Sequence, residues 1–329
     1  MAARLEPAPA VRIPDLVDLR QLSSRHLENL LEEETLEWQE SLDWDFRKSG
    51  DLVRRFVDLR ALSGCALMDR GEAVGYSYFV LEEHKGLIGD LYVRREFRIV
   101  ESENRLLGAV LEALVTGSQV HRVESQLMMI VQDPGRQVPG AEFLNTYARN
   151  FMLLDSSSAP PLADKPARHR VHLEKWSEHH QENAAQLIAA AYVGHIDSRI
   201  NDQYRSVAGA RRFLFNIVQY PGCGSFFRPA SYVAFDLDRG WLCGLSLTSI
   251  VGPDAGHITQ ICVAPQVRGT GVAYELLRRS LMTLREHGAT KVSLTVTAAN
   301  EDAVRLYERM GFRTLRKFLA YVWEGFGRG

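Results

Sequence analysis

The same order of helix and strand patterns occurs twice along the chain, and this repetition most constrains the fold. In the second half the patterns predict the order β-α-α-β-β-β-α-β-α-β, and the first half gives a similar order with weaker signals. A segment at 158–169 with prolines, small residues and charges reads as a linker between the halves. We therefore expect an α/β protein with a mixed sheet, built from two similar domains at 1–157 and 170–329.

The individual elements follow from periodicity, caps and turn residues. In the second half we expect strands at 170–176, 231–236, 241–251, 257–263, 291–297 and 314–323, with helices at 177–191, 207–219, 271–287 and 301–309. The helix at 271–287 would have Leu276, Leu277, Leu281 and Leu284 as its apolar face. In the first half we expect helices at 24–34, 51–62, 102–116 and 141–150, with strands at 65–69, 73–82, 87–93 and 123–131.

Charge and composition exclude several classes of function. The 39 basic and 41 acidic residues leave a formal charge of -2, so we expect no nucleic-acid partner and no anionic membrane surface. No run of about 18 apolar residues predicts a membrane span, and the first residues lack the apolar core of a signal peptide. The four scattered cysteines (Cys65, Cys223, Cys243 and Cys262) form no CxxC pair, so we expect no metal site. These features favour a cytoplasmic protein.

A glycine-rich turn joins a predicted strand to a predicted helix at 263–273. Gly269 and Gly271 allow the main chain to approach a ligand closely, and consecutive amide groups at a helix N-terminus attract an anion such as a pyrophosphate. Arg268 is placed to add a charge-assisted contact. The spacing matches neither a P-loop nor the dinucleotide fingerprint. Taken alone, so short a motif favours a purely structural strand-to-helix turn.

A second motif, NEDAVRLYERMGF at 300–312, follows about thirty residues later. Its presence favours a ligand-binding role for the glycine-rich turn. Together the two motifs resemble the GNAT superfamily of N-acetyltransferases (acyl-CoA N-acyltransferases), tandem-domain type. The turn matches at Gln266, Gly269 and Gly271, and the second motif matches at Asn300, Tyr307, Gly311 and Phe312. The resemblance covers about 170–323. It implies direct attack of a primary amine of a small molecule or peptide on acetyl-CoA in a ternary complex.

The resemblance also implies roles for individual residues. The predicted strands at 257–263 and 291–297 would splay apart, leaving the backbone of the first for the pantetheine arm and for an oxyanion. Tyr307 would protonate the departing sulfur; its alternative role is packing on the cofactor. Asn300 would hold CoA or cap the helix that follows. The full set of expected cofactor contacts is Ile261, Cys262, Val263, Gln266, Val267, Arg268, Gly269, Thr270, Gly271, Val272, Ala273, Asn300 and Tyr307.

The general base is less well defined by the motifs. In relatives that acetylate protein N-termini a glutamate stands twelve residues before the tyrosine, where this chain has Thr295. His257, at the start of the first splayed strand, is the candidate base, with a structural role as its alternative. Cys262 lies in an apolar strand without an activating neighbour, so we expect it to be structural rather than nucleophilic.

The acceptor amine is expected to meet the connector at 191–205, which is dense in polar and aromatic residues. Asp197, Arg199, Asn201 and Tyr204 are the candidate substrate-binding residues; the alternative is a solvated loop with internal hydrogen bonds.

In the first half, Ile99 and Glu101 replace the two glycines of the turn, so we expect a degenerate domain that packs on the active half or walls its acceptor cleft. Tyr147 lies near Phe151 much as Tyr307 lies near Phe312. A donor other than acetyl-CoA, and a catalytically silent CoA-sensing or scaffold protein, remain alternatives. A homodimer is compatible with either.

Overall fold

Both halves of the chain contribute strands to one large mixed sheet. The computed structural model describes residues 14–117, 120–157, 162–220, 222 and 224–326. The first half contains β1 (Asp15–Asp18), α1 (Glu28–Leu42), α2 (Arg47–Asp58), β2 (Ser63–Asp69), β3 (Glu72–Glu82), β4 (Lys85–Val93), α3 (Val100–Gly117), β5 (Arg122–Gln126) and β6 (Leu144–Asp155). The second half contains β7 (Val171–Lys175), α4 (Gln181–Ala191), α5 (Asp197–Ile200), α6 (Val207–Gln219), β8 (Ser225–Phe226), β9 (Tyr232–Asp236), β10 (Leu242–Gly252), β11 (Ala255–Val263), α7 (Val272–Glu286), β12 (Lys291–Thr297), α8 (Glu301–Arg309) and β13 (Arg313–Glu324).

The last strands of the two halves interlock at the centre of this sheet. Among the described residues the strand order is β1-β2-β3-β4-β5-β13-β6-β12-β11-β10-β9-β7, and β8 pairs with β10. The final strand β13 therefore lies between β5 and β6, both from the first half, and is antiparallel to both. In turn β6 is antiparallel to β12 of the second half. The sheet is continuous across the predicted domain division.

The segment at 141–150 corrects one prediction from the sequence. We expected a helix there, but only Ala141–Phe143 form a short 3-10 turn, and β6 begins at Leu144. β6 has a hydrogen-bonded strand on each side. Hydrogen bonding and side-chain packing within the sheet therefore stabilise this segment more than a local helix would. Tyr147 therefore lies in a strand, and its proposed correspondence to Tyr307 on α8 is wrong.

The apolar face predicted for α7 is confirmed. Leu276, Leu277, Leu281 and Leu284 are all buried against the sheet. Burial of each such side chain contributes about 1.5–3 kcal/mol relative to leaving it exposed. Gly288, just past the end of α7, adopts φ +90°, the left-handed conformation that ends helices. This packing holds the N-terminal end of α7 against the end of β11.

Candidate active site

The strands β11 and β12 separate where the resemblance implied that they would. They pair in parallel from Ala255 and Lys291 only as far as Ile258 and Leu294. Beyond that point β11 keeps its antiparallel pairing with β10 on the other side. Residues 259–263 therefore present backbone donors and acceptors toward the gap, an edge to which an extended, amide-containing chain can add.

The glycine-rich turn presents free amides at the start of α7. Gly269 has φ +75° and Gly271 has φ +97°, so both glycines adopt the left-handed conformation expected for a bare turn. The first hydrogen bond of α7 runs from the Glu275 amide to the Gly271 carbonyl at 3.1 Å. No described residue accepts a hydrogen bond from the amides of Gly269, Thr270 or Gly271. Three unpartnered amides beside a helix N-terminus suit a bound pyrophosphate.

The described part of the predicted linker, 162–169, lies along this turn. The Arg168 amide donates to the Thr270 carbonyl at 2.7 Å, and the Tyr274 hydroxyl donates to the Ala163 carbonyl at 2.7 Å. Lys165 and Arg168 line the same cavity as the glycines. The linker thus adds two cations beside the glycine-rich turn. They were not predicted, because the prolines, small residues and charges of the segment indicated only a spacer.

A cavity of about 1000 Å³ connects this turn with the gap between the strands. The predicted cofactor residues that line it are Ile261, Cys262, Val263, Val267, Arg268, Gly269, Thr270, Gly271, Ala273, Asn300 and Tyr307. Gln266 is exposed and Val272 is buried in the core, so neither lines the cavity. The Arg268 guanidinium donates to the carbonyl of Ala191 at the end of α4, at 2.5 Å.

A second cavity, of about 650 Å³, lies between the two halves of the chain. The first half contributes mainly aromatic and polar residues to it, among them Trp38, Trp44, Phe46, Tyr78, Asp90, Gln126, Met128 and Arg149. The second half contributes Asp197, Asn201, Tyr204, His257, Gln260 and Thr295, among others. The two cavities share four lining residues, namely Tyr192, Ile261, Asn300 and Tyr307. They therefore meet at the predicted reaction centre.

Tyr307 projects from α8 at this meeting point and is only 6% exposed. Burial, and secondarily the nearby Asp197 carboxylate, raises the pKa of its phenol above the ordinary value of 10.0. The phenol is therefore protonated throughout the neutral range, as a proton donor must be. Asn300 caps α8 by accepting from the Ala303 amide at 3.4 Å, and its amide nitrogen lies 3.3 Å from His195 Nε2. The predicted capping role is confirmed.

An ion pair from both halves lies beside Tyr307. The Arg149 guanidinium, carried by β6, lies 3.2 Å from Asp197 Oδ1 and donates to the Thr297 hydroxyl at 2.8 Å. The Thr297 hydroxyl also donates to Asp197. The Asp197 amide donates to His195 Nδ1 at 3.1 Å, and burial lowers the pKa of His195. Arg149 escaped sequence analysis because its segment was predicted to be helical.

The predicted acceptor residues divide into two groups. Asp197, Asn201 and Tyr204 line the cavity between the halves, whereas Arg199 is exposed and lines neither cavity. The segment is not a loose loop, because it forms α5 and a 3-10 turn that contacts the first half through an ion pair of Asp202 with Lys85 at 2.5 Å.

A polar chain connects the acceptor segment to β11. The Tyr204 hydroxyl donates to Gln260 Oε1 at 3.2 Å, and Gln260 Nε2 donates to the Tyr192 hydroxyl at 2.9 Å. The rings of Tyr192 and Tyr204 stack at 4.3 Å between centroids. This arrangement holds the acceptor segment against the first splayed strand.

His257 lines the cavity between the halves but is tightly enclosed, at 6% exposed. Its ring lies 5.0 Å from that of Trp44 and 6.4 Å from that of Phe151, between centroids, and its Nδ1 lies 2.9 Å from the Ser293 hydroxyl. Burial lowers the pKa of His257 to about 4. The imidazole is therefore neutral at pH 7, and it is a weak proton acceptor.

This enclosure predicts a pH-dependent contribution to stability. In the unfolded chain the His257 imidazole binds a proton below its ordinary pKa of 6.5, whereas in the folded chain it does so only below about 4. The unfolded state then binds more protons between these values, so stability is lost as the pH falls through this window. The difference amounts to roughly 3 kcal/mol at pH 4.

A His257→Asn variant tests this, because asparagine does not titrate and can still pair with Ser293. Urea unfolding of both proteins at pH 7.5 and pH 4.5 should show a free energy of unfolding that falls more steeply with acidification in the wild type. Any packing loss in the variant is independent of pH and cancels from this comparison. Parallel pH dependences would contradict the assignment.

Cys262 has the properties of a structural thiol. Burial raises its pKa to about 12, so it carries no thiolate at neutral pH. This agrees with the structural role expected from the sequence.

In the first half the equivalent turn is occupied by carboxylates of α1. Glu33 accepts from the Arg95 amide at 2.7 Å and from Arg94 Nε at 3.0 Å. Glu37 pairs with Arg98 at 2.6 Å. The protein's own acidic side chains thus take the place of an anionic ligand, which agrees with a degenerate first half.

Two features are absent from the described part of the chain. No group of three or more His, Cys, Asp or Glu side chains there is placed to hold a metal ion. No helix there has the length and apolar character needed to cross a membrane.

Comparison with known proteins agrees with this geometry. Residues 210–312 match the acetyltransferase (GNAT) family. A mycothiol acetyltransferase from Propionibacterium freudenreichii is 28% identical over 195 residues, which are 56% of this chain and 58% of that protein. The chain thus spans little more than half the length of that relative. A mycothiol acetyltransferase from Thermobispora bispora is 30% identical over 254 residues, 75% of this chain and 78% of that protein.

A solved structure extends the likeness of fold to both halves. A tandem GNAT protein from the clavulanic acid biosynthesis pathway superimposes with a TM-score of 0.62 at 16% identity, covering 94% of this chain and 98% of that one. The splayed strands, the glycine turn, the family match and the relatives agree, and the chain belongs to the GNAT superfamily of acetyltransferases.

Proposed function

We propose that this protein transfers the acetyl group of acetyl-CoA to a primary amine of a small molecule or peptide, by direct attack in a ternary complex. One observation carries the proposal. The cavity at the glycine turn and the cavity between the halves meet at Tyr192, Ile261, Asn300 and Tyr307. Two substrates entering from opposite sides would therefore meet beside a buried, protonated phenol.

The residues of the first cavity fit CoA. The free amides of Gly269, Thr270 and Gly271 would hold its pyrophosphate, assisted by Lys165 and Arg168. The unpaired edge at 259–263 would bind the pantetheine arm, and its amides would polarise the thioester carbonyl. When bound, acetyl-CoA supplies the activated acetyl group.

Tyr307 would donate its proton to the departing sulfur. His257, neutral at pH 7, stays the candidate proton acceptor, taking a proton only as bond formation acidifies the attacking nitrogen. The cavity of about 650 Å³ between the halves is large enough for a small amine or the end of a peptide. The described cysteines are free thiols, which suits a cytoplasmic enzyme. The first half would serve as a wall of the acceptor cavity.

The proposal is tested by thermal stability with acetyl-, propionyl- and succinyl-CoA, followed by thiol release over a panel of primary amines. We expect acetyl-CoA to stabilise the fold by about 2.7 kcal/mol at a hundredfold excess over Kd. We also expect thiol release with at least one primary amine. Stabilisation without thiol release from any amine would instead identify a CoA sensor. Stronger stabilisation and faster turnover with propionyl- or succinyl-CoA would identify that thioester, instead of acetyl-CoA, as the donor.

A further inference from the structure

Two buried carboxyl groups meet at the first-half wall of the cavity between the halves. Asp90, on β4, lines the cavity and is 9% exposed. Glu34, on α1 behind it, is 0% exposed and accepts hydrogen bonds from the Tyr76 hydroxyl at 3.0 Å and from Trp38 Nε1 at 3.3 Å. The two carboxyl groups lie close enough to interact with each other. Two ionised carboxylates so close together would repel, so the pair retains one proton.

The pair carries one negative charge near neutral pH, and Asp90 presents it to the cavity. Burial, then the neighbouring Asp90, raises the pKa of Glu34 well above its ordinary value. Burial raises the pKa of Asp90 to about 6. Glu34 is therefore the protonated partner, and Asp90, which also accepts from the Leu91 amide at 2.8 Å, is the ionised one.

Among the described residues that line the cavity, no unpaired basic side chain balances this charge. The lining residues that carry a full charge are Asp90, Arg149 and Asp197. Arg149 is paired with Asp197 at 3.2 Å. Asp90 is left as the one uncompensated charge among the described lining residues, in a place where burying an unpaired charge is costly. A ligand with a positive group would supply the missing partner.

The surrounding wall suits a cation as well. Trp38, Trp44, Phe46, Phe56 and Tyr78 line the same cavity. Aromatic faces attract cations electrostatically, because the face of the ring carries partial negative charge. Gly89 makes room for Tyr78, since a Cβ there would lie 2.2 Å from the Tyr78 ring. The ring therefore packs directly on β4, next to Asp90.

The two halves contribute different groups at equivalent positions. β4 and β11 are both nine residues long, and Asp90 and Gln260 each occupy the sixth position of their strand. Gln260 is neutral and already hydrogen-bonded to two tyrosines on the acyl-transfer side. At these two equivalent positions the second half therefore places a neutral amide and the first half a carboxylate.

We propose that the acceptor carries a second cationic group besides the amine that is acetylated, and that the aromatic wall and the Asp90 carboxylate bind it. The class of acceptor is then a diamine or an amine with a guanidinium or quaternary ammonium group. This inference rests on the proposed acetyl transfer. It assigns a specificity-determining role to the otherwise degenerate first half.

The test compares 1,4-bis(aminomethyl)benzene with 4-methylbenzylamine, which share one aromatic framework and differ in the second charge. For the wild type we expect kcat/KM to favour the diamine by at least about tenfold, through a lower KM. In Asp90→Asn this preference should fall to near one, with stabilisation by acetyl-CoA retained. Asp238→Asn, a change of equal charge at an exposed turn outside both cavities, should keep the preference.

A second measurement does not depend on the folding of a variant. Benzyltrimethylammonium should inhibit the wild type competitively against the amine and not against acetyl-CoA, whereas neutral neopentylbenzene should not inhibit. No diamine preference in the wild type, an unchanged preference in Asp90→Asn, or equal inhibition by the two probes would overturn the inference. Absence of thiol release with both amines, together with no stabilisation by acetyl-CoA, would instead refute the proposed function itself.

Discussion

Replacing Tyr307 with phenylalanine is expected to lower kcat by a factor of about 10²–10⁴ while leaving the affinity for acetyl-CoA unchanged. The phenol lies where the two cavities meet, and burial keeps it protonated. Loss of the hydroxyl removes the proton donor to the departing sulfur but keeps the aromatic ring that packs on Phe312, at 6.0 Å between centroids. The ring should therefore still shape the binding cavity.

The measurement is thiol release under saturating substrates, with acetyl-CoA affinity followed separately by thermal stability. Tyr232→Phe is a matched control, because that buried tyrosine bonds Thr283 at 2.8 Å and lines neither cavity. It should cost stability of about 1 kcal/mol and leave kcat unchanged. A Tyr307→Phe enzyme with kcat within threefold of the wild type would show that the tyrosine only packs on the cofactor.

Replacing Gly271 with glutamate should abolish the stabilisation by acetyl-CoA, which corresponds to a Kd at least a hundredfold weaker. Three effects act together at this position. The φ of +97° strains any side-chain residue by about 1–3 kcal/mol, and a Cβ would lie 3.2 Å from the Ala167 Cα in the linker segment. The added carboxylate also repels the pyrophosphate from the amides that would bind it.

The Gly288→Glu variant distinguishes the effect of backbone strain from the loss of acetyl-CoA binding. Gly288 has φ +90° at the opposite end of α7, and no atom lies within 4 Å of a Cβ built there. This variant carries the same added charge and similar backbone strain, so it should lose stability without losing the acetyl-CoA effect. Equal stabilisation of Gly271→Glu and the wild type would place CoA elsewhere.

The parts of the site that depend on local backbone chemistry were predictable. Gly269, Gly271 and Asn300 act within their own turns, through left-handed angles and a helix cap, so their residue types report their conformations directly. The apolar face of α7 was likewise expected, because it follows a repeated pattern along one helix. The end of the pairing between β11 and β12 was implied by the family resemblance and not by local backbone chemistry.

The predictions failed where partners come from distant parts of the chain. Residues 141–150 contain good helix formers, yet they lie between two strands contributed by the second half. Arg199, predicted to face the acceptor, instead points to solvent because the first half holds its segment in place. Both errors have one cause, which is that pairing across the halves outweighs local preference.

The sequence by itself indicated the family, the glycine-rich turn and the candidate proton donor Tyr307, since these are written in short motifs with a local physical meaning. Only the tertiary structure decided the interlocked strands β6 and β13, the joining of the two cavities, and the position of Asp90 opposite the acyl-transfer side. Charge balance inside a cavity depends on which distant side chains are buried together. No local sequence pattern predicts which distant side chains are buried together.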